Sequence, residues 1–345
     1  MYLFAFAVAC ASDSQQNLPG VKILFTSTHV TSFIQQDVEI LQRHFTVEHL
    51  ITKGLGALFT IPLHVLRADI TFTWFASVYA FLVVLLARLF GKRSIIVIGG
   101  VDVAKYPEIN YGIWLTPWKA MLVKHAIKHA HKVLAVDPFQ QQEAKRLAEY
   151  DGHNIEYVAT GYDSKVWFPA GLKEAFVLTV AACQDEWRMK AKGIDVLLAS
   201  AGLLPATRFV IIGLAEQLIP AVRNVAPGNV EIVAYVQQQE LLQYYQRSKV
   251  YCQPSYTEGL PNSLCEAMLC ECIPVGTNVG GIPTAMDGVG FLVPYGDVSA
   301  LSQAIQQALQ APASLGAKAR EHVARNFTLQ KREDALVRIL QEAVQ

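Results

Sequence analysis

Pro254 to Met268 is the stretch of this sequence whose residue types and spacing best suit chemistry. It holds Glu258 and Glu266, eight positions apart, on either side of a turn made by Gly259, Leu260 and Pro261. The apolar run Val250 to Gln253 before it reads as a strand, and a helix is expected from Asn262 or Ser263 onward. Asn262 is suited to cap that helix through its side-chain oxygen. The free N–H groups of a helix start form an anion site. A carboxylate repels phosphate but accepts two hydrogen bonds from a vicinal diol such as that of a ribose. The pair therefore suits a ligand with hydroxyl-rich and anionic parts. The same two acids also fit a solvated loop and a helix start whose dipole favours negative charge.

Elements elsewhere must carry these residues to one place. Strand-like apolar runs at Val21–Thr26, Phe45–Leu50, Asp69–Phe75, Ser94–Ile98, Lys132–Val136 and Ile155–Ala159 alternate with helical segments at Phe33–His44, an apolar helix after Phe75 running to Phe90, Pro117–His131 and Gln140–Tyr150. After turn chemistry at Thr160 to Pro169 the pattern restarts. Strands follow at Ala175–Ala181, Arg208–Ile212, Val230–Ala234, Val250–Gln253, Ile273–Gly276 and Gly290–Val293. The intervening helices are Gly193–Gly202 and Gln239–Ser248, and three more close the chain at Val298–Leu309, Ser314–Asn326 and Leu329–Ala343. The reading is α/β, with two doubly wound, Rossmann-like domains facing across a cleft. The boundaries expected are 1–169, 170–327, and a last helix, 328–345, folding back on the first domain. Ligands of such sheets sit outside the carboxyl ends of the strands, which puts the site between the domains.

A length of 345 residues with 52% hydrophobic and 17% charged residues supplies two large cores and excludes a disordered chain. A formal net charge of zero gives no general attraction to nucleic acid, so an anionic ligand needs a local site. The six cysteines (Cys10, Cys183, Cys252, Cys265, Cys270 and Cys272) mostly lie in or beside apolar runs and read as reduced core residues of a cytoplasmic protein. The apolar start, Met1 to Ala11, has no basic residues before it and reads as a start placed upstream of the core. Thr71 to Ala87 reads as a strand running into a buried helix, not a membrane span. His125, His129 and His131 lie among Lys124, Lys128 and Lys132, so a solvated basic face is expected there and no metal. With Trp114 and Trp118 at its start, that segment is also suited to peripheral contact with a membrane.

The Glu258–Glu266 stretch resembles the E-x7-E signature of the retaining glycosyltransferases of family 4 (glycosyl transferases group 1), which have the GT-B fold. The likeness continues in order. Thr160-Gly161-Tyr162-Asp163 is similar to the family's linker, Lys192-Gly193-Ile194-Asp195 to its lysine-glycine helix start, Phe209 to Gly213 to its next strand and glycine turn, and Gly280-Gly281-Ile282-Pro283 to its donor-side glycine pair. Gly99 to Ala104 and Tyr106 to Gly112 resemble one subgroup more loosely. The resemblance implies transfer of a sugar from a nucleotide-diphosphate donor to a glycan or lipid-linked acceptor, with retention and without metal or other cofactor. Glu266 would hold the ribose, Glu258 the donor sugar, and Lys192 the diphosphate. Gly259, Leu260, Pro261, Asn262 and Ser263 would offer backbone amides, with Gly213 and Gly281 beside the donor. Asp102 and Glu108 would lie on the acceptor side.

Three departures matter. Ala181-Ala182-Cys183 stands where the family has glycine-arginine, leaving Arg188, in a longer loop, as the candidate second cation. Gly99 or Gly100 stands where a histidine is common. The first loop, Ser27-Thr28-His29-Val30-Thr31, lacks the usual glycine pair. The lost cation and histidine also suit a non-catalytic nucleotide-sugar-binding protein. A nicotinamide dehydrogenase is excluded by the absence of G-x-G-x-x-G after either opening strand.

Overall fold

The computed structural model describes residues 20–345. The apolar start and Cys10 lie outside the described residues. In chain order the elements are β1 (Lys22–Ser27), α1 (Ser32–Gln42), β2 (Thr46–Ile51), α2 (Gly56–Arg67), β3 (Ile70–Trp74), α3 (Val78–Leu89), β4 (Arg93–Ile98), α4 (Pro117–His129), β5 (Lys132–Ala135), α5 (Pro138–Ala148) and β6 (Ile155–Tyr157). These build an amino-terminal lobe. A carboxy-terminal lobe follows: β7 (Glu174–Cys183), α6 (Glu186–Ala191), α7 (Ile194–Leu203), β8 (Arg208–Leu214), α8 (Ile219–Val225), β9 (Val230–Val233), α9 (Gln238–Arg247) and β10 (Ser248–Gln253). It continues with α10 (Asn262–Leu269), β11 (Ile273–Thr277), α11 (Ile282–Met286), β12 (Phe291–Val293), α12 (Val298–Gln310), α13 (Ala313–Asn326) and α14 (Leu329–Val344).

Each lobe is one six-stranded parallel sheet. The first has the order β2-β1-β3-β4-β5-β6 and the second β12-β11-β10-β7-β8-β9. In the first, the direction of winding reverses between β1 and β3, which pair from Ile23 opposite Ile70. In the second it reverses between β7 and β10, with Val250 opposite Val177. Ligand crevices of wound sheets open at such reversals, beyond the strand carboxyl ends. That rule selects the loops after β7 and β10, which carry Lys192 and Glu258.

Local chemistry sets the ends of several elements. Ser77 caps α3, accepting the Ala80 N–H at 3.2 Å, and Asp137 caps α5 ahead of Pro138, accepting that of Phe139 at 2.7 Å. The apolar run 71–87 is thus divided between β3 and α3. Among the described residues no helix is long and apolar enough to cross a membrane. The five described cysteines are buried thiols.

Some expectations are corrected. Gly56–Arg67, for which the sequence pattern gave no element, forms α2, because Ala57, Ile61 and Val65 bury a face against β1 and α3. The loop assigned to Arg188 is largely α6, capped by Asp185, which accepts the Arg188 N–H at 3.0 Å. Trp114 is not on the surface: it is buried and its indole donates to the Asp102 carbonyl at 2.8 Å, while Trp118 is exposed.

The chain end crosses back to the first sheet. On α14, Arg332 is fully buried and holds Asp37 of α1 through both carboxylate oxygens, at 3.0 and 2.6 Å. The same guanidinium donates to the Val158 carbonyl at 2.9 Å, at the end of the first lobe's last strand. Gly161 lies where a Cβ would come within 2.9 Å of Arg332 and 2.8 Å of Leu329, so the connecting segment passes the start of α14 in backbone contact.

Candidate active site

At the reversal point of the second sheet, Gly193 begins α7 with a φ of +64°, and a Cβ there would sit 1.9 Å from the Pro254 carbonyl oxygen. Glycine satisfies both constraints. This close passage sets Lys192 beside the loop after β10, where its Nζ donates to Glu258 Oε1 at 2.7 Å. Two further donors, Ser255 Oγ at 2.7 Å and Gln253 Nε2 at 2.8 Å, converge on the same oxygen. Three donors on one oxygen fix the orientation of the Glu258 carboxylate.

The Glu258 loop is also gripped through its backbone. Its carbonyl accepts the Gly281 N–H and, across the lobes, the Gln140 side-chain amide, both at 3.2 Å. A Cβ at Gly259 would lie 2.3 Å from the Gly99 carbonyl oxygen, and one at Gly281 would lie 2.2 Å from that of Gly259. The three glycines are therefore where the loops after β4, β10 and β11 touch. Gly213, with a φ of +103°, makes a similar approach to the Ala181 carbonyl at the end of β7.

Glu266 lies one helical turn beyond Asn262 on α10. Tyr245 donates its hydroxyl to Glu266 Oε2 at 3.1 Å, and burial pushes the carboxyl up to about 7 despite that bond. Glu266 and Asn262 line a cavity of ≈ 590 Å³ between the lobes, with Phe33 and Gln36 of α1, Tyr162 of the connecting segment, and Tyr235 beyond β9. Lys192 and Glu258 are not among its lining residues. Buried side chains bridge the two acids instead: Gln253 hydrogen-bonds Glu258 (2.8 Å) and the Tyr251 hydroxyl (3.0 Å), and the Tyr251 ring packs edge-on against that of Tyr245, 5.9 Å between centroids. Tyr245, Tyr251 and Gln253 are contributors that the motif did not reveal. Gln253, a polar residue ending an apolar strand just before Pro254, was the available signal.

Asn262 does not cap α10. It is the first helical residue, and its side-chain oxygen accepts the Tyr162 hydroxyl at 2.8 Å, tying the helix to the connecting segment. Pro261 occupies the cap position and has no N–H to offer a ligand, and Leu260 buries its side chain in the core. Ser263 follows within the first turn.

Arg188 projects near the first lobe. Its guanidinium stacks on Trp187 at 4.9 Å, and the Trp187 ring is 5.5 Å from that of Tyr111. Burial, and then the Arg188 charge, lower the pKa of His29 in the loop after β1. Where the resembled family has an arginine at the end of β7, the strand here continues to Cys183 through a register shift, and Arg188 stands on α6.

The two acids expected on the acceptor side differ in kind. Asp102 is buried, and its carboxylate accepts the N–H groups of Gly100 (2.8 Å), Ala76 (3.1 Å) and Gly99 (3.2 Å). Burial raises it to about 6, although those bonds pull the other way. It holds the loops after β3 and β4 together with its side chain buried. Glu108 is exposed and accepts the hydroxyl of Tyr256 from the other lobe. Among the described residues, no group of three or more His, Cys, Asp or Glu is placed to hold a metal ion.

The family model described as glycosyl transferases group 1 matches residues 177–311 of this chain. A D-inositol 3-phosphate glycosyltransferase of Saccharomonospora viridis is 34% identical over 111 residues, which is 31% of this chain and 26% of that protein. An Escherichia coli O-antigen chain mannosyltransferase B is 31% identical over 88 residues, 26% of this chain and 23% of that protein. The matched stretch thus spans about a quarter of these curated relatives. Among solved structures, a sucrose-phosphate synthase from Thermosynechococcus elongatus superposes with a TM-score of 0.75 at 16% identity, covering 93% of this chain and 98% of that one. HepE of Anabaena, solved in complex with UDP-glucose, gives 0.76 at 15% identity over 93% and 99%. The chain has the GT-B fold of these glycosyltransferases.

Proposed function

We propose that this protein transfers a sugar from a nucleoside-diphosphate sugar to a glycan or lipid-linked acceptor, with retention of configuration and without a metal, in the cytoplasm. The observation that carries the reading is the pairing of Lys192 with Glu258 at the reversal point of the second sheet, linked through Gln253 and the packed rings of Tyr251 and Tyr245 to Glu266 at the wall of the interlobe cavity. A cation and two separated carboxylates match the parts of such a donor. Lys192 opposes the diphosphate, Glu258 accepts sugar hydroxyls, and Glu266 accepts the ribose diol. Bond breaking builds negative charge on the leaving phosphate. Lys192, Arg188 and the start of α10 stabilise that charge without reorganising.

In this mechanism Lys192 leaves Glu258 for the phosphate as the donor binds. Ser255 and Gln253 still hold the carboxylate oriented, so Glu258 faces the sugar with unused acceptor capacity. The departing phosphate receives the acceptor proton on the same face, and no enzymatic nucleophile is used. Calorimetric titration with UDP, UDP-glucose and GDP-mannose, followed by product analysis, tests the reading. Saturable binding of a nucleotide sugar, with release of the nucleotide when acceptor is added, is expected. Failure of a broad panel of nucleotide sugars to bind overturns it.

A further inference from the structure

The helices α2, α3 and α4 lie side by side over one face of the first sheet, sharing the cores built on Ile61, Val65, Val83, Val84, Val123 and Ile127. Their outer faces are apolar. Leu55 and Phe59 are 78% and 79% exposed at the start of α2, Leu89 is 73% exposed at the end of α3, and Met121 and Trp118 are 65% and 54% exposed on α4. Leu63 and Leu66 continue the α2 stripe at helical spacing. A water-facing helix ordinarily carries polar residues on that side, and this one is not covered by any other part of the described chain.

The charge on this face has one sign. None of the three helices contains an aspartate or glutamate. Arg67 and Arg88 stand at the ends of α2 and α3, and Lys119, Lys124 and Lys128 lie along α4. The acids that approach, Glu48 and Glu149, belong to β2 and the end of α5, at the margins, where they pair with His64 and Lys124. In a chain of zero formal charge this is a local segregation. An apolar surface fringed by cations complements the interfacial region of an anionic bilayer. A second copy of the same face is a poorer partner, because twofold pairing would set these cations against one another with no acid between them.

We propose that the α2–α3–α4 face docks on an anionic lipid surface, with Phe59, Leu63 and their neighbours entering the headgroup boundary and Arg67 and Arg88 meeting lipid phosphates. Helices that follow parallel strands begin at the strands' carboxyl ends, so Leu55, Phe59 and Trp118 sit at the ends nearest the cleft. The docked protein therefore keeps its cleft mouth close to the lipid. This inference stands apart from the transferase reading and does not depend on turnover.

The test is co-sedimentation of the full chain with vesicles of phosphatidylcholine alone and of an equimolar phosphatidylcholine–phosphatidylglycerol mixture. Binding to the anionic vesicles, weakened by salt, is expected. The Phe59→Glu/Leu63→Glu variant abolishes it, and Arg67→Glu/Arg88→Glu lowers the partition at least about tenfold. Circular dichroism and nucleotide-sugar binding stay unchanged in both, which separates lost docking from lost folding and from failure of the donor reading. No sedimentation with anionic vesicles at low salt overturns the proposal, as does equal binding of the variants. A concentration-dependent oligomer in light scattering, dissolved by the apolar variant while vesicle binding is absent, assigns the face to a second copy instead.

Discussion

Lys192 Nζ and Glu258 Oε1 lie 2.7 Å apart although 66 positions separate them, and each also belongs to a different part of the proposed donor site. In the proposed mechanism the Lys192 ammonium leaves Glu258 for the donor's diphosphate. Removing Lys192 leaves Ser255 and Gln253 on the carboxylate, so the loop keeps its shape while the leaving group loses its cation. Lys192→Ala and Glu258→Ala are each expected to lower turnover at least about a hundredfold, the usual consequence of deleting a preorganised stabilising group. Steady-state transfer assays, with melting temperature as the folding control, check this. Near-normal turnover in a folded variant removes that residue from the mechanism.

Glu266 gives the site a pH dependence of defined sign. Burial raises its carboxyl from the usual 4.5 to about 7, so between those values the folded protein holds a proton that the unfolded chain has lost. Its contribution to stability is complete below 4.5 and disappears as pH rises through 7. Accepting a ribose diol needs the ionised form. Donor affinity should therefore rise with pH through about 7 and then level off, with proton release on binding below that point. Calorimetry in buffers of different ionisation enthalpy measures the release. Glu266→Gln should weaken binding and flatten the profile, and an unchanged profile would move the titration to another group.

Much of this was legible beforehand, and the parts that were not share a cause. Alternating apolar runs and turn residues disclose all twelve strands within a few residues, because buried parallel strands are nearly continuous apolar blocks. Glu258, Glu266 and Lys192 stand out by type and spacing. Helices α2, α6, α8 and α11 did not: Pro62 interrupts the first, and the others are seven residues or fewer, stabilised by packing more than by pattern. Asn262 looked like a cap because local sequence shows the helix start but not Tyr162, a hundred positions away. Asp102 is placed on the acceptor side only by the loose resemblance of Gly99 to Ala104 to one subgroup. Its carboxylate is consumed by three backbone N–H groups, and only the fold reveals the Ala76 partner.

That arrangement makes a separate prediction. In Asp102→Asn one carboxylate oxygen becomes an NH₂ group. If the remaining oxygen keeps Gly99 and Gly100, the new donor faces the Ala76 N–H, and a buried donor is left unsatisfied. The expected loss is about 1–3 kcal/mol of unfolding free energy, read as a lower urea midpoint with an unchanged slope. Equal midpoints would show that the loops after β3 and β4 do not depend on this residue.

Metal dependence is the direct check on the proposed leaving-group chemistry. If Lys192, Arg188 and the α10 start supply the opposing charge, transfer in excess EDTA should match transfer with added Mg²⁺ or Mn²⁺. Arg188→Ala should then lower turnover more than donor affinity, since its help is greatest when phosphate charge is greatest. A strict divalent requirement would overturn the metal-free mechanism, and an unaltered Arg188→Ala enzyme would leave Lys192 as the sole side-chain cation.

The pairing of Arg332 with Asp37 predicts how the two lobes stay joined. Both side chains are out of water, and Asp37 also accepts the Trp74 indole N–H at 2.7 Å. Deleting the guanidinium strands a buried carboxylate and frees the Val158 carbonyl, so Arg332→Ala should cost about 3–5 kcal/mol. Asp37→Ala strands the guanidinium and the indole together and should cost a similar amount. Because each single change leaves the other charge unpaired, the double variant should lose clearly less than the sum of the two. Urea denaturation of the four proteins measures this coupling. Additive losses would show that α14 is held to α1 by its apolar face alone, with Leu336 and Leu340 packing as they do and the ion pair contributing nothing to the join.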